Sequence, residues 1–218
     1  MKGSGLVLVA DRISLAFGRR YILRDIAFRA VCGEVIALVG PNGAGKTTLL
    51  SVLCGRLRPD QGTVRLEGDD PSRCLVGLVP HDLFLYPDLT TRENLAFFAA
   101  LHGTEDAPIA GVIESVGLSR DLDRPVRTLS RGMQQRAAIG RLLVTRARVW
   151  LLDEPATGLD ESGRAWFAST VAQAARDGVL VIMATHFRDE VESATRVIAL
   201  ESGRIVGDGP GGRGQRVG

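Results

Sequence analysis

The chain has 218 residues, 45% of them hydrophobic, and its formal net charge is +2. This length and composition predict a packed α/β domain and exclude a chain that is disordered throughout. The balanced charge does not favour a nucleic-acid-binding protein.

The N-terminal part consists of short β-type runs broken by Gly, Arg and Asp, which predict an antiparallel β region. This region leads into a buried strand, Val35–Val39. After Gly45 the pattern becomes helical, and we expect this helix to end near Pro59. Residues 62–70, GTVRLEGDD, predict a second hairpin-like piece before a short strand at residues 76–79.

The middle of the chain has a helical pattern that begins at Thr90. Thr90 and Glu93 have the spacing of a capping box, and the helix is expected to run on to Gly103. Two further helices are predicted at residues 109–117 and 130–144. Together these helices predict a helical lobe at about residues 90–145.

Strands and helices alternate in the last third. VWLLDEP, residues 149–155, is an apolar strand of the kind that lies buried in a parallel sheet. A helix at residues 163–176, a strand at 179–184 and a hairpin that turns at Ser202-Gly203 follow. The sequence therefore predicts an α/β fold with a mostly parallel core sheet. We expect one domain over residues 1–208 and a mobile glycine-rich tail at 209–218.

The cysteines and the apolar stretches indicate where the chain works. Cys32, Cys54 and Cys74 are odd in number and have no C-x-x-C spacing, which argues against a disulfide framework or a zinc site. No apolar stretch approaches the roughly 20 residues of a membrane helix. We therefore expect a cytoplasmic chain that would need other chains to span a membrane.

The strongest motif is a phosphate-binding loop between an apolar strand and a helix. It fits G-x-x-x-x-G-K-[ST], whose backbone N–H groups surround phosphate, while the lysine reaches the β- and γ-phosphates and the threonine binds Mg²⁺. The candidate nucleotide-binding residues here are Gly40, Pro41, Asn42, Gly43, Ala44, Gly45, Lys46, Thr47 and Thr48. The alternative is a glycine-rich turn with an exposed lysine, but the flanking strand and helix favour a phosphate loop.

A second motif is the pair of acids that ends the strand VWLLDEP. Asp153 and Glu154 are expected at the carboxyl edge of the sheet, where α/β proteins bind their ligands. Asp153 suits a contact with Mg²⁺, and Glu154 suits a general base that activates water for attack on the γ-phosphate. An ordinary strand end is the alternative, and the phosphate loop makes the catalytic interpretation the better one.

Three further segments complete a resemblance to a known family. They are LSRGMQQR at residues 129–136, Thr157 to Asp160, and Thr185-His186 after a later strand. With the phosphate loop and the strand-end acids they occur in the order typical of ABC ATPases, so the chain resembles that family over nearly its whole length. The resemblance implies ATP and Mg²⁺ as ligands and a dimer, expected as a homodimer, that holds two ATP molecules between its subunits.

The resemblance also implies roles for individual residues. The signature residues Ser130, Arg131, Gly132 and Met133 would contact the ATP of the partner subunit. His186 would contact the γ-phosphate and hold the attacking water, and together with Glu154 and Lys46 it would form the catalytic group. Asp160 would line the subunit junction. Phe17 would stack on adenine, with a core phenylalanine as the alternative.

Two positions depart from the family's pattern. The signature usually begins Leu-Ser-Gly-Gly-Gln, whereas this chain has Arg131 and Met133 at the first glycine and the glutamine. Arg131 could reach the partner's nucleotide, but a solvated arginine is the preferred interpretation. His81 stands where the family usually has a glutamine that contacts Mg²⁺ and water. Since a protonated imidazole can neither accept from water nor bind metal, we expect turnover to be unusually sensitive to pH, with a mere spacer as the alternative.

The resemblance implies the ATP-hydrolysing subunit of a membrane transporter, bound at the cytoplasmic face of the membrane through separate membrane subunits. Hydrophobic residues around Phe84, Leu85, Tyr86 and Leu89 would dock those subunits or pack the lobe's own core. His81 and the signature Ser-Arg-Gly-Met resemble, more weakly, the ATP-binding subunit of the haem exporter of cytochrome c maturation. The alternatives are another small exporter, for a drug, lipid or polysaccharide, and a soluble ABC protein acting on nucleic acid, which the charge balance disfavours.

Overall fold

The computed structural model describes residues 5–68 and 75–212. Two sheets make up the strands of these residues. The smaller sheet is antiparallel, with strand order β2-β1-β4, and comprises β1 (Val7–Phe17), β2 (Arg20–Val31) and β4 (Gln61–Glu67). The larger sheet has the order β5-β6-β7-β3-β8-β9, and its strands are parallel except for β9, which pairs antiparallel with β8. The predicted combination of an antiparallel region and a mostly parallel core sheet is confirmed.

The strands of the larger sheet are β3 (Val35–Val39), β5 (Val76–Val79), β6 (Val149–Asp153), β7 (Leu180–Ala184), β8 (Arg196–Glu201) and β9 (Arg204–Pro210). Every residue of β6 and β7 is buried. Alternate side chains of β6 enter two different clusters: Leu151 packs with α1 and the antiparallel sheet, whereas Trp150 and Leu152 pack with α5 and α4. Burial on both faces explains why β6 is apolar at nearly every position.

Six α-helices occur in the described residues: α1 (Lys46–Leu53), α2 (Thr91–Leu101), α3 (Ile109–Ser115), α4 (Arg131–Val144), α5 (Glu161–Arg176) and α6 (Arg188–Ser193). A short 3₁₀ helix, Val126–Thr128, precedes α4. None of these helices is both long enough and apolar enough to cross a bilayer.

The helical lobe is formed by α2, α3 and the adjoining face of α4, which enclose a separate apolar cluster around Leu95, Ile113 and Ala137. The predicted capping box at its start is confirmed, because the Glu93 N–H donates to the Thr90 hydroxyl and the Thr90 N–H donates to Glu93. Asn94 is fully buried and bonds to both the N–H and the carbonyl of Tyr86. The lobe therefore holds the loop that precedes it in a defined position.

Four expectations about elements need correction. The helix after Gly45 ends at Leu53 and not near Pro59, because Gly55 adopts φ +77° and its N–H donates to the Val52 carbonyl. Residues 61–67 form one strand that pairs with β1, and not a hairpin; residues 69 and 70 of that predicted piece lie outside the described residues. The third correction is an addition: helix α6 and the 3₁₀ helix were not predicted as elements, because they have too few residues to show a periodic pattern.

The fourth correction concerns the C-terminal segment that was predicted to be mobile from residue 209. Gly209 and Pro210 belong to β9, where Gly209 pairs with Val197, and the Gly211 N–H donates to the Thr195 carbonyl. Residues 213–218 of that segment lie outside the described residues, as does Cys74.

Candidate functional site

The phosphate-loop motif connects β3 to α1 at the carboxyl edge of the larger sheet. Glycine is required at two of its positions for steric reasons. A Cβ on Gly40 would lie 2.0 Å from the Leu200 carbonyl oxygen, and Gly45 combines φ +106° with a close approach to the Ile22 carbonyl. Gly45 is also the N-cap residue of α1. The loop therefore curls tightly against its neighbours and presents the N-terminus of a helix, which favours anions.

The β8–β9 turn is hydrogen-bonded to the phosphate loop and stabilises its conformation. Ser202 and Gly203 both have left-handed backbones, with φ of 48° and 78°, as a two-residue hairpin turn requires. The Gly203 N–H donates to the Ala44 carbonyl at 3.1 Å, and the Gly203 carbonyl accepts from the Arg24 N–H at 2.7 Å. The turn thus links the phosphate loop to β2, an element of the other sheet.

Lys46 lies inside the loop, where its ammonium group donates to the carbonyls of Gly40 at 2.7 Å and Pro41 at 3.2 Å. A cavity of about 330 Å³ opens in front of it. The cavity is lined by Arg20, Ile22, Asn42, Gly43, Gly45, Lys46, Thr47, Thr48, Asp153 and Glu154. A second cavity of about 350 Å³ lies alongside, lined by loop residues together with Tyr21, Arg24 and the β8–β9 turn. The structure therefore brings the phosphate loop and the strand-end acids to one concave surface.

Arg20 lines both cavities and was not predicted as a site residue from the sequence. It pairs with Phe17 in the β1–β2 hairpin, and only the packing of the smaller sheet on the larger one brings it to the phosphate loop. Two consecutive arginines after Gly18 were the available signal. Phe17 is 56% exposed, which rules out the alternative of a core phenylalanine.

Asp153 and Thr47 form a donor set of the kind that Mg²⁺ binds. Both residues line the same cavity, and burial raises the pKa of Asp153 while the neighbouring Thr47 hydroxyl opposes the rise. Among the described residues there is no group of three or more His, Cys, Asp or Glu side chains that could hold a metal by themselves. One carboxylate and one hydroxyl fit an ion that keeps waters and shares its coordination with phosphate oxygens, as Mg²⁺ does.

Glu154 occupies a constrained position directly after β6. Its backbone has φ 52°, and its N–H donates to the Ala184 carbonyl at 2.9 Å, which ties it to the end of β7. Its carboxylate is near the Thr157 hydroxyl at 3.4 Å and the His186 Nδ1 at 3.8 Å. A non-glycine residue in a left-handed backbone is expected only where the surrounding structure holds it. The carboxylate is thus directed at His186 and the mouth of the cavity.

His186 follows β7 and is about 60% exposed, with its ring stacked on Phe187 at 4.4 Å. The preceding residue, Thr185, is buried and accepts a hydrogen bond from the Phe187 N–H at 3.0 Å. The Thr185 hydroxyl donates in turn to the Glu190 carboxylate on α6. Glu190 was not predicted from the sequence, because its helix is too short to recognise, and it supports the turn that carries His186.

Glu190 is 7% exposed and lies close to the charges of Asp189 and Glu154. Burial, more than these neighbours, raises the pKa of Glu190 from 4.5 to about 7. Between these two values the folded chain binds more protons than the unfolded chain, so the stability that this group confers is present below pH 4.5 and is lost as the pH rises through 7.

Replacing Glu190 with glutamine is therefore expected to raise the free energy of unfolding at pH 8 by roughly 1 to 3 kcal/mol more than at pH 5. Glutamine keeps an acceptor for Thr185 but removes the desolvated charge. Urea unfolding of both proteins at the two pH values measures the difference. Glu192→Gln, on the outer part of the same helix, is the matched control. A stability difference that is the same at pH 5 and pH 8 would contradict the expectation.

The signature residues form a second group, outside the lining of the phosphate-loop cavity. Ser130 is the N-cap residue of α4, and its hydroxyl accepts from the Met133 N–H at 3.3 Å. A Cβ on Gly132 would lie 3.1 Å from the Gly158 carbonyl oxygen, so the first turn of α4 packs directly on the segment before α5. The helix N-terminus at Ser130 is available to an anion brought by another molecule.

Asp160 is the N-cap residue of α5 and accepts from the Gly163 N–H at 2.7 Å and from Ser162 at 3.0 Å. The Gly163 hydrogen bond, followed by that of Ser162, lowers the pKa of Asp160. Its role at a subunit junction stays a prediction, because the observed contacts belong to its own helix.

Arg131 is not the solvated arginine that the sequence favoured, and its contact with the partner's nucleotide stays a prediction. The side chain is half-buried, and its guanidinium donates to the carbonyl of His81 in the loop after β5. His81 lies two residues after Val79, which pairs with Leu152, the residue before Asp153. His81 therefore belongs spatially to the strand-end acids, and whether its ring binds metal or water stays a prediction.

The chain is similar in sequence and in fold to known proteins. A family model described as "ABC transporter" matches residues 23–157. The cytochrome c biogenesis ATP-binding export protein CcmA of Rhodopseudomonas palustris is 40% identical over 172 residues, which is 78% of this chain and 86% of that protein. The linearmycin resistance ATP-binding protein LnrL of Bacillus subtilis is 33% identical over 214 residues, covering 93% and 69% of the two chains.

A solved structure described as a dimeric bacterial ABC transporter cassette has a TM-score of 0.83 to this chain and 23% sequence identity. It covers 93% of this chain, and this chain covers 98% of it. At that identity the similarity establishes the fold.

Proposed function

Because the chain belongs to the ABC transporter family of ATP-binding proteins, we propose that it is the ATP-hydrolysing subunit of an exporter. The observation that carries this proposal is that Lys46 and Glu154 line one cavity at the N-terminus of α1, with His186 3.8 Å from the Glu154 carboxylate. ATP hydrolysis is the activity of this family. The names of two relatives, an export protein and a resistance protein, support outward transport.

ATP would bind with its phosphates over the phosphate loop. The backbone N–H groups at the start of α1 and the Lys46 ammonium face the cavity and suit the β- and γ-phosphates. Phe17, exposed at the end of β1 beside Arg20, is available to stack on adenine. Mg²⁺, held by Thr47 and Asp153 and with His81 as a further candidate, would supply positive charge to the phosphate oxygens when bound.

Glu154 would act as the general base in hydrolysis. Its carboxylate is placed at the cavity, and an acceptor within hydrogen-bond reach of water can take a proton as the water attacks the γ-phosphate. His186, 3.8 Å from that carboxylate, would orient the water and contact the γ-phosphate. The stiff support of both residues by β6 and β7 keeps these groups positioned before the reaction begins.

Two copies of the chain would be needed for a complete site. The signature residues Ser130, Arg131, Gly132 and Met133 and the junction residue Asp160 lie away from the chain's own phosphate loop, as they must if Ser130 and Gly132 serve the partner's ATP. The dimeric state described for the related cassette supports this assembly. We therefore infer a homodimer with two ATP molecules at its junction.

Separate membrane subunits would dock at the cytoplasmic face, on the side of the helical lobe. Phe84, Tyr86 and Phe97 are all exposed, and the Tyr86 and Phe97 rings meet edge to face at 4.9 Å. Leu85, in contrast, packs against two apolar clusters. Contact with another protein chain would bury these exposed rings.

Haem is the first candidate for the transported substrate, and the 40% identity to CcmA is what supports it. The alternative is another small exporter, for a drug, a lipid or a polysaccharide, and the LnrL relative favours the drug. The test is to co-purify the chain with its membrane subunits, reconstitute them in vesicles, and measure ATP hydrolysis with haem and with an amphipathic drug. Stimulation by haem alone supports the first candidate, and stimulation by the drug alone supports the second. No ATP hydrolysis by the reconstituted complex would refute both.

A further inference from the structure

Arg131 is the residue at which this chain departs most from the signature pattern, and its side chain is directed into its own subunit. The guanidinium donates to the His81 carbonyl. Its aliphatic stem lies against Gly158, where an added Cβ would be 2.7 Å from the Arg131 Cγ. Within the described residues, no ion pair of Arg131 is observed. One side chain on the first turn of α4 therefore contacts two other loops of the site.

The loop that receives Arg131 is strained. Leu83 and Phe84 are consecutive non-glycine residues with left-handed backbones, at φ 61° and 52°. Such conformations persist only where neighbouring groups hold them. The buried Leu83 side chain holds the loop from inside, and the Leu83 N–H donates to the Pro80 carbonyl at 3.0 Å. The hydrogen bond from the Arg131 guanidinium to the His81 carbonyl holds the exposed side of the same loop.

His81 connects this attachment to the acidic end of β6. Its backbone carbonyl accepts from Arg131, and it lies two residues after Val79, which pairs with Leu152, the residue before Asp153. Thr47, at the start of α1, lines the same cavity as Asp153. A displacement of the first turn of α4 would thus act through one hydrogen bond on the loop that carries His81, next to the end of β6.

We propose that Arg131 is a positioning residue that acts within its own chain, holding the loop that carries His81 beside the end of β6, and that it does not contact the partner's ATP. The part that concerns turnover rests on the proposed function. In this arrangement the first turn of α4, which would meet the partner's nucleotide, is hydrogen-bonded to the loop after β5 of the same chain. The glycine usual in the family at this position has no side chain to make such a link.

Hydrogen exchange of the free chain tests the contact without requiring activity. Arg131→Gln is expected to speed exchange of the Leu83 and Phe84 amides by about 3- to 10-fold, because a charge-assisted hydrogen bond that holds the loop is lost. Arg131→Lys retains a cationic donor and should restore part of the protection. Arg127→Gln, which removes an exposed ion pair with Asp88 shortly before α4, is the control and should leave these amides unchanged. Unaltered exchange in Arg131→Gln would overturn the proposal.

Mixed dimers then separate action within the chain from action on the partner. In a reference dimer, one subunit carries Lys46→Ala, so the only working phosphate loop belongs to the other subunit. Placing Arg131→Gln in the subunit with the working loop should lower the rate of ATP hydrolysis about 3- to 10-fold below the reference. Placing it in the subunit with Lys46→Ala should leave the reference rate unchanged. The reverse pattern would show that Arg131 serves the partner's ATP and would refute the proposal.

These two measurements also distinguish a failure of the proposal from a failure of the proposed function. If wild-type dimers hydrolyse no ATP, the proposed function is wrong, and the exchange measurement still decides whether Arg131 holds the loop. Equal thermal unfolding of wild type and Arg131→Gln establishes that a loss of rate does not come from unfolding.

Discussion

Replacing Lys46 with alanine is expected to weaken ATP binding by about 10- to 100-fold and to reduce the hydrolysis rate by at least about 100-fold. Both losses are expected because of where the Lys46 ammonium group lies. The Lys46 ammonium lies inside the phosphate loop, held by two backbone carbonyls, and faces the cavity at the N-terminus of α1. It is the only lysine in the described part of the chain, so no neighbouring ammonium group can replace it.

Titration calorimetry with ATP and a phosphate-release assay measure the two effects of Lys46→Ala separately. Arg58→Ala is a suitable control, because Arg58 is exposed shortly after α1 and lies outside both cavities. Its variant should bind and hydrolyse ATP as the wild type does. Wild-type affinity in Lys46→Ala would mean that the loop is only a structural turn, which is the alternative that the sequence left open.

Replacing Glu154 with glutamine is expected to reduce the hydrolysis rate by about 10²- to 10⁴-fold while ATP binding is retained. Glutamine has the shape of glutamate but is a much weaker base. The backbone of residue 154 is held by the Ala184 carbonyl, and its side chain lies 3.4 Å from the Thr157 hydroxyl, so the amide should occupy the same place. We expect the ATP-bound dimer to accumulate, since hydrolysis no longer releases it.

The measurements are single-turnover phosphate release, ATP binding by calorimetry, and the size of the protein in the presence of ATP. Glu201→Gln, an exposed acid at the end of β8, is the matched control and should leave the rate unchanged. Hydrolysis by Glu154→Gln at the wild-type rate would require another base. Together the two variants separate binding from turnover, because Lys46→Ala should lose both and Glu154→Gln only the second.

The sequence by itself determined the elements whose causes are local. The capping box of Thr90 and Glu93 involves residues three apart, and the phosphate loop is a continuous segment between a strand and a helix. The acids after β6 were recognisable because every residue of that strand is buried on both faces. Hydrogen bonds and periodicities of this range depend on neighbouring residues along the chain, so they can be inferred without knowing the fold.

Only the tertiary structure decided which distant residues meet. The order of the larger sheet places β5 and β7 on either side of β6, and so brings His81 and His186 to the strand-end acids. The same folding brings Arg20 to the phosphate loop and Arg131 to the His81 carbonyl, 50 residues away. Such contacts result from strand order and packing between sheets, which local sequence patterns do not encode. The physical reason is that a backbone carbonyl can accept from any donor that the fold brings near it, so the partner of Arg131 could not be inferred from residue type or spacing.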